Sequence, residues 1–253
     1  MKEQILQLTE KNIAEEHICC GFSDRKCSAG YENKKEWLQN EFENGYTFKK
    51  LNVRGKVFIE YCPIEISWLP LEGRKYMVIN CFWVSGQFKG QGYGKLLLNE
   101  CIEDAKKQKM NGIIAVSSDK KRPFMSDPKF LKMQGFNIID EAPPFFKLWA
   151  LKFNEKAEMP RIKDTARKGV SPDRKGISVY YSETCPFNDY YINESLKKYA
   201  EKKSVPLKIH KIRSREDGYK LPVPWMICSI FYNGELVTLE MKPDKYLDKL
   251  IDE

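Results

Sequence analysis

The chain has 253 residues, of which 42% are hydrophobic and 31% charged. That length and composition suit a globular protein of one large domain or two small ones, and no run approaches the ~20 apolar residues of a membrane span, which excludes an integral membrane protein. The net charge of +8 divides into +5 over residues 1–153, +3 over 154–176 and zero over 177–253, so no arm concentrates positive charge as a nucleic-acid binder would. The N-terminal segment has neither an apolar core nor a cleavage site, so no secretory signal is expected and the cytoplasm is the expected location. Two histidines, His17 and His210, stand far apart, and the eight cysteines include no C-x-x-C pair. No metal site is expected from them, and the thiols read as reduced, several as small core residues.

In chain order, residues 4–8 alternate as a short strand, and Thr9 reads as the N-cap of a helix reaching about Cys20. Residues 20–31 are loop-like, and residues 35–42 form a helix that Gly45 closes. Residues 46–53 and 56–61 read as a hairpin across Arg54-Gly55, and Tyr76–Val84 is a continuous apolar strand for a sheet centre.

Directly after that strand comes Lys89-Gly90-Gln91-Gly92-Tyr93-Gly94-Lys95, opening a helix over residues 91–108. Glycines there let the backbone turn tightly with no Cβ in a ligand's way. The first N–H groups of a helix lack internal partners and carry partial positive charge, which makes an anion site. A P-loop is excluded because Leu96, not a hydroxyl residue, follows Gly94-Lys95. A dinucleotide-binding unit is disfavoured because the turn follows the fourth strand rather than the first.

This segment resembles the acetyl-CoA-binding motif of the GNAT family of N-acetyltransferases, with Lys89 where Gln or Arg is usual. Residues 112–117 resemble that fold's fifth strand, residues 130–136 its closing helix ending in Gly135-Phe136, and residues 145–153 its last strand. The resemblance implies an α/β (α+β) acyl-CoA N-acyltransferase fold over residues 1–153. It also implies acetyl-CoA as co-substrate, its pyrophosphate on the N–H groups of Gln91–Lys95. The pantetheine then runs beside Phe82, Trp83 and Val84, with a backbone N–H there polarising the acetyl carbonyl. A small-molecule or peptide amine is the implied acceptor. The tyrosine many members use as general acid is replaced by Leu131. Glu65 and Asn80 are candidates for steering the amine's proton, although each also reads as an ordinary surface or capping residue. Ser117, Ser126 and Asp127 lie nearby in sequence, and Lys120-Lys121-Arg122 could meet the 3′-phosphate or form a solvated loop.

Residues 154–176 are polar, with two prolines and two glycines, and read as a linker whose charge serves solvation. Residues 177–253 then run β-α-β-β-β-α: strands at 177–182, 206–213, 226–232 and 236–240, a hairpin turn at Asn233-Gly234, and a last helix from Pro243. That order resembles a thioredoxin-like domain. Cys185-Pro186-Phe187-Asn188 resembles the glutaredoxin Cys-Pro-Tyr-Cys, with Asn188 for the resolving cysteine, and Pro224 resembles that family's cis-proline. A helix start lowers a thiol's pKa, so Cys185 is a candidate thiolate. An alternative function follows: a thiol-redox or thiol-carrier protein whose GNAT-like half only binds CoA. The two-part chain resembles the YoaP-type acetyltransferases.

Overall fold

The computed structural model describes residues 4–240 and 244–251. Elements follow as β1 (Ile5–Leu8), α1 (Ser28–Glu43), β2 (Thr47–Leu51), β3 (Val57–Pro63), β4 (Leu71–Glu72), β5 (Tyr76–Val84), α2 (Tyr93–Lys107), β6 (Gly112–Ser118), α3 (Pro128–Met133), β7 (Asn137–Ala142), β8 (Phe146–Lys152) and β9 (Arg161–Ile162). The C-terminal part adds β10 (Ile177–Ser182), α4 (Asn188–Tyr190), a π turn at Tyr191–Leu196, α5 (Lys197–Lys203), β11 (Leu207–Ile212), α6 (Arg215–Gly218), β12 (Cys228–Tyr232), β13 (Glu235–Thr238) and α7 (Asp244–Ile251). Pro243, expected in the first turn of α7, lies outside the described residues.

Strands β1, β2, β3, β5, β6, β8 and β7 form one sheet in that order, which puts the apolar β5 at its centre. One face packs on α2 through Leu97, Leu98, Cys101 and Ala105, joined by Leu131 and Phe136. The other face is shared. Over β1–β3 it meets α1 through Trp37 and Leu38. Over β5, β6 and β8 it meets the C-terminal part, so that Tyr76, Val78 and Ile114 share one cluster with Val179, Leu196 and Trp225. Each face therefore buries a continuous apolar layer.

A second sheet has the order β11-β10-β12-β13, with β10–β11 parallel and the other two pairings antiparallel. The hairpin turn falls at Asn233 (φ +48°) and Gly234 (φ +93°), as the Asn-Gly pair implies.

Four expectations need correction. Residues 9–20 form successive turns, not a helix, because Asn12 Oδ1 accepts the Thr9 N–H (2.8 Å) and its Nδ2 donates to Gln7 O (3.0 Å). Such side-chain bonds offer the backbone an alternative to helix. Helix α1 accordingly starts inside the expected loop, at Ser28. Residues 154–176 are not a solvated linker: β9 pairs with β4, and Ile162, Ala166 and Ser171 are fully buried. Two of their charges tie the segment down: Arg167 donates to Asp140, to Glu141 O (2.6 Å) and to Ile162 O (3.2 Å), while Asp173 meets Lys208 and His210, each at 2.6 Å. Finally, among the described residues the cis peptide bond is Pro143–Pro144, and Pro224 follows a trans bond.

Candidate active site

The site is built where β5 leaves its neighbour. Strands β5 and β6 pair in parallel only over Tyr76–Ile79 and Gly112–Ala115, and beyond Ile79 the ladder stops. On the β3 side the register slips at the same place: Glu60 faces Cys81 and Tyr61 faces Ile79, leaving Asn80 as the extra residue of a bulge. A bulge bends the strand and re-aims its side chains. The remainder of β5, Asn80–Val84, thus presents an edge with no ladder partner toward β6.

Helix α2 begins at the end of that edge. Gly90 and Gly92 hold φ of +77° and +86°, and Gly92 is the N-cap. A Cβ at either would meet nothing within 4 Å, so the left-handed backbone, not crowding, calls for glycine there. The first helical bond runs from Leu96 N–H to Gly92 O (3.0 Å). The N–H groups of Gly94 and Lys95 precede it and face out of the helix start. The added Cβ of Gly94 would stand 3.4 Å from the Phe130 ring, so that glycine lets α2 sit close to α3.

Phe82, Trp83, Val84, Lys89, Gly90, Gly92, Tyr93, Gly94 and Lys95 line one groove of about 590 Å³, as the motif implied. Gln91 does not line it; its side chain donates back to Gln87 O. The sequence reading missed the wall formed by Met125, Phe130, Met133 and Gln134, and Phe88 packed beside Tyr93. Met133, apolar yet at 80% relative exposure, marks this wall in the structure, and no sequence signal set it apart. Ser126, Asp127 and Lys121 also line this wall, and Lys121 lies 3.9 Å from Asp127. Arg122 turns inward instead, its guanidinium 3.4 Å from the centre of the Phe145 ring.

The three residues advanced for chemistry are not brought together. Glu65 is corrected: its Oε1 accepts the Lys75 N–H (2.7 Å), tying a turn before the start of β5. Phe82 lies seven positions beyond Lys75 along β5, about 23 Å at ~3.3 Å per residue. Asn80 sits at the parting of the strands, donating to Cys62 Sγ (3.2 Å), while its buried Oδ1 has no partner. Leu131 is fully buried in the core beneath α2, so no acid stands at that position. Ser117 donates to Ser126 O (2.7 Å) and orders the loop after β6.

Cys185 is the third. It lies not in the groove but in a second cavity, and its thiol is raised above the ordinary value of 9.0. Burial is the main cause, and it outweighs the lowering effects of the Phe187 N–H and of Lys34 and Lys56. The expected thiolate is thereby corrected. Helix α1 presses on this turn: a Cβ on Gly30 would stand 2.2 Å from Pro186 O, and Asn33 donates to Asp189 (2.5 Å). Beneath it Lys34, fully buried, pairs with Glu60 at 2.5 Å, and Tyr46 donates to the other Glu60 oxygen (3.0 Å). Where glutaredoxins carry the resolving cysteine, Asn188 donates to Ser182 O (3.0 Å) and Ile227 O (2.5 Å), fastening the turn to the strand ends. Neither histidine reaches the groove. His17 Nε2 donates to Val53 O (2.9 Å) and its Nδ1 accepts the Cys19 N–H (3.2 Å), while His210 stacks on Tyr180 and bonds Asp173.

A central strand that parts from its neighbour at a bulge, with a glycine-lined helix start at the end of the gap, defines an acyltransferase of the GNAT type. The comparisons agree. Residues 12–125 match the acetyltransferase (GNAT) family model and residues 206–249 the YoaP-like model. The chain is 39% identical over 247 residues to the uncharacterized N-acetyltransferase YoaP of Bacillus subtilis (strain 168), covering 98% of both chains. Solved structures that resemble it include the acetyltransferase yncA of Salmonella typhimurium with acetyl-CoA (13% identity, 63% of this chain and 98% of that one, TM-score 0.45). The PaiA N-acetyltransferase of Thermoplasma acidophilum with coenzyme A is another (16% identity, 60% and 100%, TM-score 0.43). The chain belongs to the GNAT family of N-acetyltransferases. Among the described residues no helix is long and apolar enough to cross a membrane.

Proposed function

We propose that this N-acetyltransferase moves the acetyl group of acetyl-CoA onto a primary amine by direct attack, with the groove over β5 and α2 as the acetyl-CoA site. The observation that carries this reading is the coincidence of the freed β5 edge with the glycine turn at Gly90–Gly94 in one groove. The pyrophosphate rests on the N–H groups at the start of α2, where the helix dipole favours negative charge, and Lys89 and Lys95 add cations beside it. The pantetheine extends along the β5 edge toward the bulge. A backbone N–H near Phe82–Val84 polarises the acetyl carbonyl, as a preorganised donor does for a developing oxyanion.

The amine nitrogen attacks the carbonyl carbon, the C–N bond forms and the C–S bond breaks. The sulfur leaves and ends with the amine's proton. To Asn80, the extra residue of the bulge with an unpartnered Oδ1, we assign the orienting of the incoming amine. Neither a metal nor a histidine is required for these steps.

The second part of the chain reads as a thioredoxin-like domain, on the strength of its parallel β10–β11 pair and the antiparallel β12 and β13 beside them. A thiol-redox role finds no support in it, since the half-buried Cys185 thiol has its pKa raised and Asn188 is committed to backbone carbonyls.

Release of free CoA from acetyl-CoA in the presence of a panel of primary amines tests the activity. Amine-dependent release supports it; acetyl-CoA left intact with every amine contradicts it.

A further inference from the structure

We infer that the acceptor binds in the cavity between the two parts of the chain, and that it is a small primary amine carried on an aromatic or apolar body. This rests on the acetyl-transfer reading above and adds the place and chemistry of the second substrate. The cavity encloses about 590 Å³, a size that holds a small molecule. Lys56 and Phe124 form its wall from the acetyltransferase part, facing Phe187, Tyr191 and Ile227 from the C-terminal part.

It adjoins the acetyl-CoA groove on two sides. Phe124 lines the cavity while the next residue, Met125, lines the groove. Lys56 O accepts the Ser85 N–H (3.0 Å), one residue past the groove's Val84. Phe124 also has φ of +63° and 38% relative exposure. A bulky residue in the left-handed region is strained, and here it leaves a large ring partly uncovered at the cavity wall.

The wall chemistry selects the ligand. The Lys56 ammonium stands 5.5 Å from the centre of the Phe187 ring, which holds a cation and an aromatic ring together at one wall of the cavity. Asp244, exposed at the cavity, adds a carboxylate that draws a cation inward. Once inside, the amine meets the like charge of Lys56 and apolar walls, and both favour its neutral form. The neutral amine is the nucleophile. Its apolar body meets the aromatic and aliphatic side chains.

The test uses the full chain with acetyl-CoA and, in turn, phenethylamine, methylamine and a short peptide with N-terminal phenylalanine, following CoA release. Phe187→Ala removes one ring, and Ser195→Trp fills the cavity; Asp244→Asn, on the exposed surface, serves if Ser195→Trp does not fold. Phenethylamine is expected to be acetylated best, and its KM to rise about tenfold in Phe187→Ala and Ser195→Trp and about threefold in Asp244→Asn, with the KM for acetyl-CoA changed less than about twofold. An acetyl-CoA-dependent rise in Tm of the unmodified protein is read separately. Without that rise, the acetyl-transfer reading and this inference both fall. With it, phenethylamine left unacetylated, acetylated with the same KM in the variants, or surpassed by methylamine or the peptide overturns this inference alone.

Discussion

Two turns of this molecule share one local plan, a strand that feeds a helix start, and they differ in everything the surroundings add. At Val84–Lys95 the helix start is open: Gly90, Gly92 and Lys95 are exposed and the nearby strand edge is free of its neighbour. At Ser182–Asn188 the helix start lies under α1, and its thiol is surrounded by the buried Lys34–Glu60 pair and other cysteines. A helix start attracts negative charge at either place. Only the first stands at the end of a free strand edge with its glycines exposed; the second lines a cavity walled by aromatic and aliphatic side chains. At the second, burial decides the outcome, and the thiol remains protonated. The comparison shows that a motif supplies a local field while packing determines whether that field does chemistry.

The largest expected effect removes the support beneath the second turn. Glu60→Ala strands the Lys34 ammonium in the core, which lowers stability by about 3–5 kcal/mol in a denaturant titration. A loss below about 1 kcal/mol would mean that the pair does not hold α1 against the thiol turn. Arg167→Ala tests whether the covering part is fastened by its charges, with an expected loss of about 1.5–3 kcal/mol at pH 7. Burial pushes the Asp140 carboxyl up, but the bonds from Arg167 and from the Ile162 and Glu141 N–H groups outweigh it and hold it below 3.8. Its stabilising contribution is therefore complete above pH 3.8 and disappears as pH falls through the lower folded-state value, so the difference between Arg167→Ala and the unmodified protein shrinks there. A difference independent of pH contradicts this account.

Asn188→Ala leaves two strand-end carbonyls without their donor, for an expected loss of about 1–3 kcal/mol with the KM for acetyl-CoA unchanged. The smallest effect is kinetic. Alkylation of Cys185 by iodoacetamide, followed by peptide mass mapping, is expected to be slow at neutral pH and to accelerate only above the ordinary thiol value of 9.0. Rapid labelling at pH 7 would restore the thiolate and erase the contrast between the two turns.

The open turn was legible because its signals are local. Tyr76–Val84 is apolar but for Asn80, Gly90 and Gly92 stand at positions that need positive φ, and the stripe of α2 falls at helical spacing. The second turn was legible as a shape but not as chemistry, since the thiol's state depends on α1, some 150 residues earlier in the chain. The same reason hid the packing of residues 154–176, whose Arg167 finds its carboxylate 27 positions away. Strand β7 was missed because an edge strand has little to bury, and its Asn137 and Ile138 are exposed. Glu65 looked suited to proton transfer only because its type was visible and its partner, the Lys75 N–H, was not.

The central claim is that the glycine-lined start of α2 holds acetyl-CoA. Thermal unfolding with and without acetyl-CoA, on the unmodified protein and on Gly92→Glu, tests it most directly. Glutamate at that position combines a side chain at positive φ with a negative charge on the anion site, and affinity is expected to fall about a hundredfold. Acetyl-CoA should raise the Tm of the unmodified protein and leave that of Gly92→Glu unchanged. An equal rise in both, or none in the unmodified protein, would contradict the account.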